Sequence, residues 1–466
     1  MRVLLAFLLL APPPAQAANL DGATMSWPWA LPFVGLLVTI AAGPTLFAQL
    51  WHAHFGKIAA AWAGLALIPL ALAFGALTAA AVLVHALIGE FLSFIVLLFA
   101  LYTVAGGILV TGTLRGTPLA NTALLAFGTS IASIVGTTGA AMILIHPVIR
   151  ANARRKHRAH VIVFFIILVA NLGGALTPLG DPPLFVGFLR GVDFFWIAPH
   201  LWLQTIIVAV AVLAIFLIVD WRLSRQDPIE EAASAEPIRL RGTINVALIA
   251  LIIASILLSA LWKPKVSFSL LGTTIELQNL ARDSALILIA LASLWLTPDE
   301  HRAANGFSWE PICEVAKLFA AIFVTIAAVV AMLQAGRSGS FSFLLSTVTA
   351  NNGQPNEVAY FWLTGLLSAV LDNAPTYLVF FELAGGDAAS LMGPLAGTLA
   401  AISMGAVYMG ALTYLGNAPN LMIYAIAEER GIRMPTFFVY FAWVSLILLP
   451  LFLLLTLLPI APRFPH

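Results

Sequence analysis

The sequence predicts an all-α polytopic membrane protein. It reads as an inverted-topology repeat of about 10–12 transmembrane helices, with two re-entrant hairpins and two unwound helices. Three observations predict this. The 466-residue chain is 61% hydrophobic and only 9% charged, where a soluble domain carries about 25% charged residues. Apolar runs recur at 31–50, 91–110, 161–172, 203–219, 244–261, 318–332 and 437–458; each approaches, or belongs to, the roughly 20-residue stretch that crosses a bilayer as a helix. Finally, GALTPLGDPP at 174–183 returns as GALTYLGNAP at 410–419, 236 positions later.

The elements follow in order from charge and length. Residues 1–17 read as a signal peptide, with Arg2 before a short apolar stretch and Ala15-Gln16-Ala17 as the small-residue cleavage pattern. Cleavage leaves the N-terminus outside the cytoplasm, as in a multi-pass protein of the bacterial inner membrane. The loop RANARRKHR, 150–158, holds five Lys and Arg, and the linker 220–242 holds four; both are expected to be cytoplasmic. A helix at 28–50 then runs inward to Lys57, one at 57–75 runs out, and one at 91–112 returns to Arg115. The apolar segment between Arg115 and Arg150 has two basic flanks and a break at SIVGTTGAA, 133–141. A hairpin that enters from the cytoplasm and turns back satisfies both features. Such backbone is tolerated at membrane depth only inside protein or beside a watery cavity. These elements make a first repeat, 28–219.

A second repeat, 243–459, follows the linker. Helices are expected at 243–262, 284–297 and 313–333, with 263–280 and 334–356 as external loops. A second break comes at SAVLDNAPT, 368–376, and the loop after it, 383–390, holds no Lys or Arg. That contrast puts the second hairpin on the outer side. The two breaks align with Ser133 on Ser368 and Thr137-Thr138 on Asp372-Asn373, an offset of 235. Inverted repeats with interrupted helices mark secondary transporters whose site lies near the midplane.

The letters of the breaks suit that chemistry. Gly136, Gly180 and Gly416 let the backbone leave helical geometry; Pro182, Pro183, Pro375 and Pro419 cannot continue a helical hydrogen-bond ladder. Freed carbonyls and half-helix ends can then face a shared cavity and coordinate an ion. Thr137, Thr138, Asn171, Thr177, Asn373, Thr413 and Asn417 add neutral oxygens. Asp181 and Asp372 stand at two of the breaks. A charged aspartate at bilayer depth costs at least about 2.5–3.5 kcal/mol, which a proton, a cation or a watery pore must offset. Both are therefore candidate ligands for sodium and carriers of H⁺. Glu382 is expected near the outer mouth, Glu90 and His85 at an interface beside the third helix, and His146 as a packed or solvated histidine. Cys313, the one cysteine, cannot form an internal disulfide and is expected to be a small packing residue. No cluster of His or Cys suggests a metalloenzyme, and no cofactor is expected beyond transported sodium or lithium and H⁺. A formal net charge of +1 gives no sign of a nucleic-acid partner; the partners expected are small ions, a carboxylate in the alternative reading below, and the bilayer.

NLGGALTPLGDPP at 171–183 and SAVLDNAPT at 368–376 resemble signature stretches of the ion transporter superfamily. That group includes D-type sodium/proton antiporters, citrate–metal carriers, arsenite carriers and dicarboxylate/sodium symporters. The chain after residue 25 also resembles a bacterial group of CitMHS-like citrate or sodium:proton carriers. The resemblance implies two hairpins, two unwound helices, sodium sites at their tips and elevator-like movement of the core in a homodimer. It puts Thr137, Thr138, Asn171, Thr177, Asp181, Asp372, Asn373, Thr413 and Asn417 at the ion sites. The Ser-Asn-Thr tips of the dicarboxylate symporters are replaced here by Gly-Thr-Thr, 136–138, and Asp-Asn-Ala, 372–374, which weakens the case for an anionic substrate.

Three functions are compared. Sodium or lithium/proton antiport suits two acidic groups at opposed breaks and is the preferred reading. Symport of citrate or another carboxylate asks for arginine in the core, and none occurs at 159–189 or 357–429. An intramembrane aspartyl protease would need glycine at 178, where Pro178 stands, and a Tyr-Asp pair, where Leu371 precedes Asp372. The topology is tested by cysteine labelling in a Cys313→Ala background. A cysteine at Ala388 should react with an impermeant thiol reagent in intact spheroplasts, and one at Ala153 should not; the reverse pattern contradicts the inverted arrangement.

Overall fold

The structure, a computed structural model, describes residues 20–112, 114–226 and 237–457. The expected signal peptide and residues 227–236 of the linker lie outside the described residues. In chain order the helices are α1 Leu31–Leu46, α2 Ala48–Phe74 and α3 Ala76–Ala105, followed by strand β1 Leu109–Thr111. Next come α4 Pro118–Val135, α5 Thr137–Ala151, α6 Ala159–Leu168, α7 Pro182–Leu189 and α8 Ile197–Ser224. Strand β2 Arg239–Arg241 precedes α9 Ile244–Leu261, strands β3 Ser267–Leu270 and β4 Thr273–Glu276, and then α10 Leu277–Leu296, α11 Asp299–Ala304 and α12 Glu310–Gln334. The chain continues through α13 Ser342–Thr347, α14 Glu357–Ser368, α15 Asn373–Leu383, α16 Ala388–Met392, α17 Ala396–Met409, α18 Ala418–Glu429 and α19 Phe437–Thr456. Eight helices among the described residues are long and apolar enough to span a bilayer, and three shorter apolar ones accompany them. The protein is an all-α polytopic membrane protein.

Several boundaries move from their expected places. The second helix starts at Ala48, nine residues before Lys57. The third starts at Ala76, because the real break is Gly75, whose φ of 93° only glycine adopts readily. It continues through a π-helical turn, His85–Phe91, so His85 and Glu90 lie on that helix and approach to 3.3 Å. It ends at Ala105, ahead of Gly106-Gly107, and β1 then pairs antiparallel with β2. The expected loop 263–280 contains the β3–β4 hairpin and the start of α10, and Cys313 is exposed instead of packed.

The chain forms two compact units. The first gathers the described residues up to Leu97 with Ser255–Leu286 and Cys313–Leu345. Within it the Phe94 ring stacks on Phe319 at 4.7 Å, and Ser93 donates to the Asp283 carboxylate at 2.5 Å. The second unit gathers Leu98–Ala254, Ile287–Ile312 and the described residues from Ser346 onward, and it contains both breaks. Its helices α5, α6, α15 and α17 are buried on nearly every face. That accounts for apolar sequences with no polar stripe.

α4 and α5 form the first hairpin. Their side chains meet at Asn121 and Asn152, whose amides exchange hydrogen bonds of 2.9 and 3.0 Å, and at Gly128, where a Cβ would lie 2.8 Å from Leu144. The tip is Gly136, with φ of 79°. The open end is anchored on Asp220, whose carboxylate meets Arg155 at 2.6 Å, His160 at 2.8 Å and the Asn121 amide at 2.9 Å. α14 and α15 form the second hairpin, closed by edge-on packing of the Tyr360 and Phe380 rings.

The two halves share contacts at one constant spacing. Thr177 donates to the Ser133 carbonyl, and Thr413 donates to the Ala369 carbonyl at 2.6 Å. Each threonine hydroxyl also accepts a backbone N–H two residues on, Leu179 or Leu415, at 3.2 Å. A Cβ on Gly180 would lie 2.1 Å from the Gly174 carbonyl oxygen, and one on Gly416 would lie 2.4 Å from that of Gly410. All these pairs are 236 residues apart, which corrects the offset of 235. Gly136 therefore corresponds to Asp372 and Thr137 to Asn373; the alignment of Thr137-Thr138 on Asp372-Asn373 was one residue out. The physical marker is the helix start, because Gly136 and Asp372 both flank the second arm's first residue. Gly180 and Gly416 are also needed chiefly for close backbone approach, since neither has positive φ.

Gly174 and Gly410 make room for the hairpin tips. A Cβ on Gly174 would lie 2.7 Å from the Thr137 methyl, and one on Gly410 would lie 2.3 Å from the Asn373 amide oxygen. Overpacking of this kind costs about 1–3 kcal/mol. Gly410→Ala should therefore lower the thermal stability of the purified protein by that order, and most of the loss should vanish in an Asn373→Ala background. Additive losses in the double variant would contradict the contact.

Candidate ion site

Four helices start at the breaks: α5 after Gly136, α7 after Asp181, α15 after Asp372 and α18 after Asn417. The residue before a helix ordinarily uses its side chain to accept the N–H of the second or third helical residue. Asp372 does so, accepting from Ala374 at 3.1 Å, and Asn417 does so, accepting from Asn420 at 3.0 Å. Asp181 does not. Pro182 and Pro183 fill the first two positions and have no N–H to offer, and the Leu184 N–H goes to the Asp181 backbone carbonyl at 3.1 Å. The two prolines thus leave the Asp181 carboxylate without a local partner.

That carboxylate reaches across to both hairpins. Thr137 Oγ1 donates to Oδ1 at 3.1 Å, and Asn373 Nδ2 donates to Oδ2 at 3.1 Å. Asp181 is 1% exposed, with Thr137 and Asn373 equally buried. The Ser368 hydroxyl lies 2.6 Å from the Asn373 amide oxygen, which turns the NH₂ end toward Asp181. The Thr137 N–H donates to the Gly180 carbonyl at 2.8 Å, fixing the first tip against the unwound segment. Neither donor to Asp181 is a cation. Asp372 is half-buried, and its carboxylate caps α15. The Asp181 carboxylate, the Thr137 hydroxyl and the Gly180 carbonyl are oxygens of the kind that hard cations such as sodium take.

The asparagines form a separate cluster. Asn417 Nδ2 donates to Asn171 Oδ1 at 2.8 Å, and Asn171 Nδ2 donates to Asn420 Oδ1 at 2.8 Å and to the Ile166 carbonyl at 2.8 Å. Asn420 Nδ2 donates to the Gly410 and Thr413 carbonyls at 2.9 and 3.1 Å. With Asn417 Oδ1 on the Asn420 N–H, these amides satisfy one another, the Ile166 carbonyl in the last turn of α6 and two carbonyls of the second break. The sequence reading missed Asn420; its signal was the position three residues after the cap in NAPN, where an N-cap side chain finds its partner.

The remaining candidates divide by contact. Thr177 and Thr413 staple the unwound segments to the first hairpin arms, as described above. Thr138 is half-buried and stands outside both hydrogen-bond sets. Glu382, expected near a mouth, is 1% exposed and pairs with Arg190. His146 is buried at 5% exposure. The structure thus brings Asp181, Thr137 and Asn373 together, uses Asp372 as the cap of the helix that Asn373 begins, and gathers Asn171 and Asn417 around Asn420.

Comparison with known proteins agrees with this architecture. The chain is similar to an uncharacterized transporter of Mycobacterium bovis and to one of Mycobacterium tuberculosis. Each is 24% identical over 331 residues, covering 68% of this chain and 71% of the relative. A family model described as "Putative citrate transport" matches residues 22–460. A match over nearly the whole chain, on a fold with two hairpins and a buried carboxylate between their tips, makes this membrane transporter a member of that family.

Proposed function

We propose that the protein is a secondary transporter that exchanges sodium or lithium for protons by alternating access at Asp181, with Asp372 as a second carboxylate. The observation that carries this is the Asp181 side chain, buried, freed from capping by Pro182 and Pro183, and held only by neutral donors from both hairpin tips. A carboxylate in that setting needs a compensating charge. A proton supplies it by covalent bonding to one oxygen; a sodium ion supplies it with oxygens from Thr137 and the broken backbone. The two compete for the same lone pairs, so each transit carries one or the other, and exchange follows. The protein would act in the bacterial inner membrane, with its N-terminus outside as signal-peptide cleavage would leave it, and as a homodimer, as the superfamily resemblance implies.

A second reading is cation-coupled transport of citrate or another carboxylate. The family description favours it, and so do the four helix N-termini at the breaks, whose partial positive charge suits an anion. Asp181 and Asp372 would repel a bare carboxylate, so the anion would travel with its cation.

The test is a pH-gradient dye assay in everted membrane vesicles, with sodium, lithium, potassium and citrate added in turn. Sodium or lithium should collapse the gradient in wild type. Asp181→Asn should lower this response by at least about tenfold, equivalent to about 1.4 kcal/mol, while still reaching the membrane. Asp372→Asn should be milder, because asparagine also caps a helix. Sodium-driven citrate uptake that persists in the absence of any proton movement would favour the second reading. An Asp181→Asn protein that exchanges sodium for protons as wild type does would overturn the first.

A further inference from the structure

α7 and α15 leave the site side by side. α7 starts after Asp181 and is followed by Arg190; α15 starts with Asn373 and carries Glu382 next to its end. At their starts the two helices are joined by the Asp181–Asn373 hydrogen bond. At their far ends Arg190 Nη1 donates to Glu382 Oε1 at 2.5 Å. Nine residues separate the joined groups on each helix, about 13 Å of helical rise. Between them the helices close up at Gly187, where a Cβ would lie 2.4 Å from the Tyr377 hydroxyl. The pair is therefore parallel, matched in length and tied at both ends.

The ion pair is asymmetric in two respects. The Glu382 side chain is 1% exposed and that of Arg190 is 23% exposed, so the acid is desolvated while the base still reaches solvent. A pair of this kind adds little net stability, because desolvation offsets most of the attraction. Its strength lies in fixing geometry. The other half also has no equivalent: 236 residues earlier than Glu382 stands His146, and 236 later than Arg190 stands Ile426.

We propose that Arg190 and Glu382 are positioning residues. Their ion pair sets the register of α15 along α7, holds the Asn373 amide on Asp181 and thereby sets the affinity of the site for its cation. The proposal rests on Asp181 as the cation-binding group. Without the pair, α15 is free to slide or tilt, Asn373 leaves Asp181, and binding weakens while turnover of the bound form persists.

The test compares Glu382→Gln, Arg190→Gln and Arg190→Lys with wild type in the vesicle assay, reading half-saturating sodium separately from maximal rate. Hydrogen exchange of the purified proteins over 373–383 reads the clamp without transport. Both glutamine variants should raise half-saturating sodium about fivefold or more, with maximal rate within about twofold, and should speed exchange over 373–383 but not over 137–151. Arg190→Gln should be the more severe, since it removes the guanidinium that faces the buried Glu382 carboxylate, and Arg190→Lys should recover most of the affinity. Unchanged half-saturation in both glutamine variants overturns the proposal, whether or not exchange accelerates. A wild type with no response to sodium or lithium overturns the functional reading instead, and the clamp's role in it.

Discussion

The Asp181 carboxylate holds two hydrogen bonds that come from different halves of the chain, Thr137 from one hairpin and Asn373 from the other. Much of the surrounding architecture exists to permit them. Pro182 and Pro183 deny the carboxylate a local cap, Gly174 and Gly410 clear space for Thr137 and Asn373, and Ser368 orients the Asn373 amide. An unpaired charge in such a place would be intolerable without a cation or proton. The same constraint joins folding to the proposed function: the group that holds the hairpin tips together is also the group assigned there to the ion.

Unwound backbone at this depth carries a second constraint. Each broken helix leaves carbonyls and N–H groups that must find partners. The protein meets this with short side chains placed twice. Thr177 and Thr413 bind carbonyls of the first hairpin arms, and the Asn171–Asn417–Asn420 cluster covers a carbonyl in the last turn of α6 and two in the second break. These polar residues are structural in what they touch. That leaves the Asp181 carboxylate, held by Thr137 and Asn373, as the group on which the proposed exchange rests, apart from a scaffold of amides.

The helical membrane fold was legible because hydrophobic length and sparse charge are properties of the chain itself. The breaks were legible because glycine, proline and aspartate together inside apolar sequence have few other uses. Register was not. Ser133 and Ser368 look equivalent as letters, yet the helix starts at Thr137 and Asn373 give the hairpins the same spacing of 236 as the repeated stretch, one residue longer than those letters suggest. Nor could the sequence divide the aspartates. Asp181-Pro-Pro and Asp372-Asn-Ala differ in whether an N–H is available to cap, a distinction that becomes decisive only once the helices are in place. Asn420 escaped notice because one more polar residue after a proline turn carries no signal until its partners, 249 residues away in the case of Asn171, are known. The pairing of Glu382 with Arg190 was hidden for the same reason, at a separation of 192 residues.

Equilibrium sodium binding to the purified protein tests the central claim most directly. Titration calorimetry in buffers of different ionisation enthalpy counts the protons released as sodium binds. If Asp181 exchanges one for the other, binding to wild type releases protons near neutral pH, and Asp181→Asn, folded and monodisperse, neither binds sodium measurably nor releases protons. Sodium binding with undiminished proton release in Asp181→Asn would contradict the account.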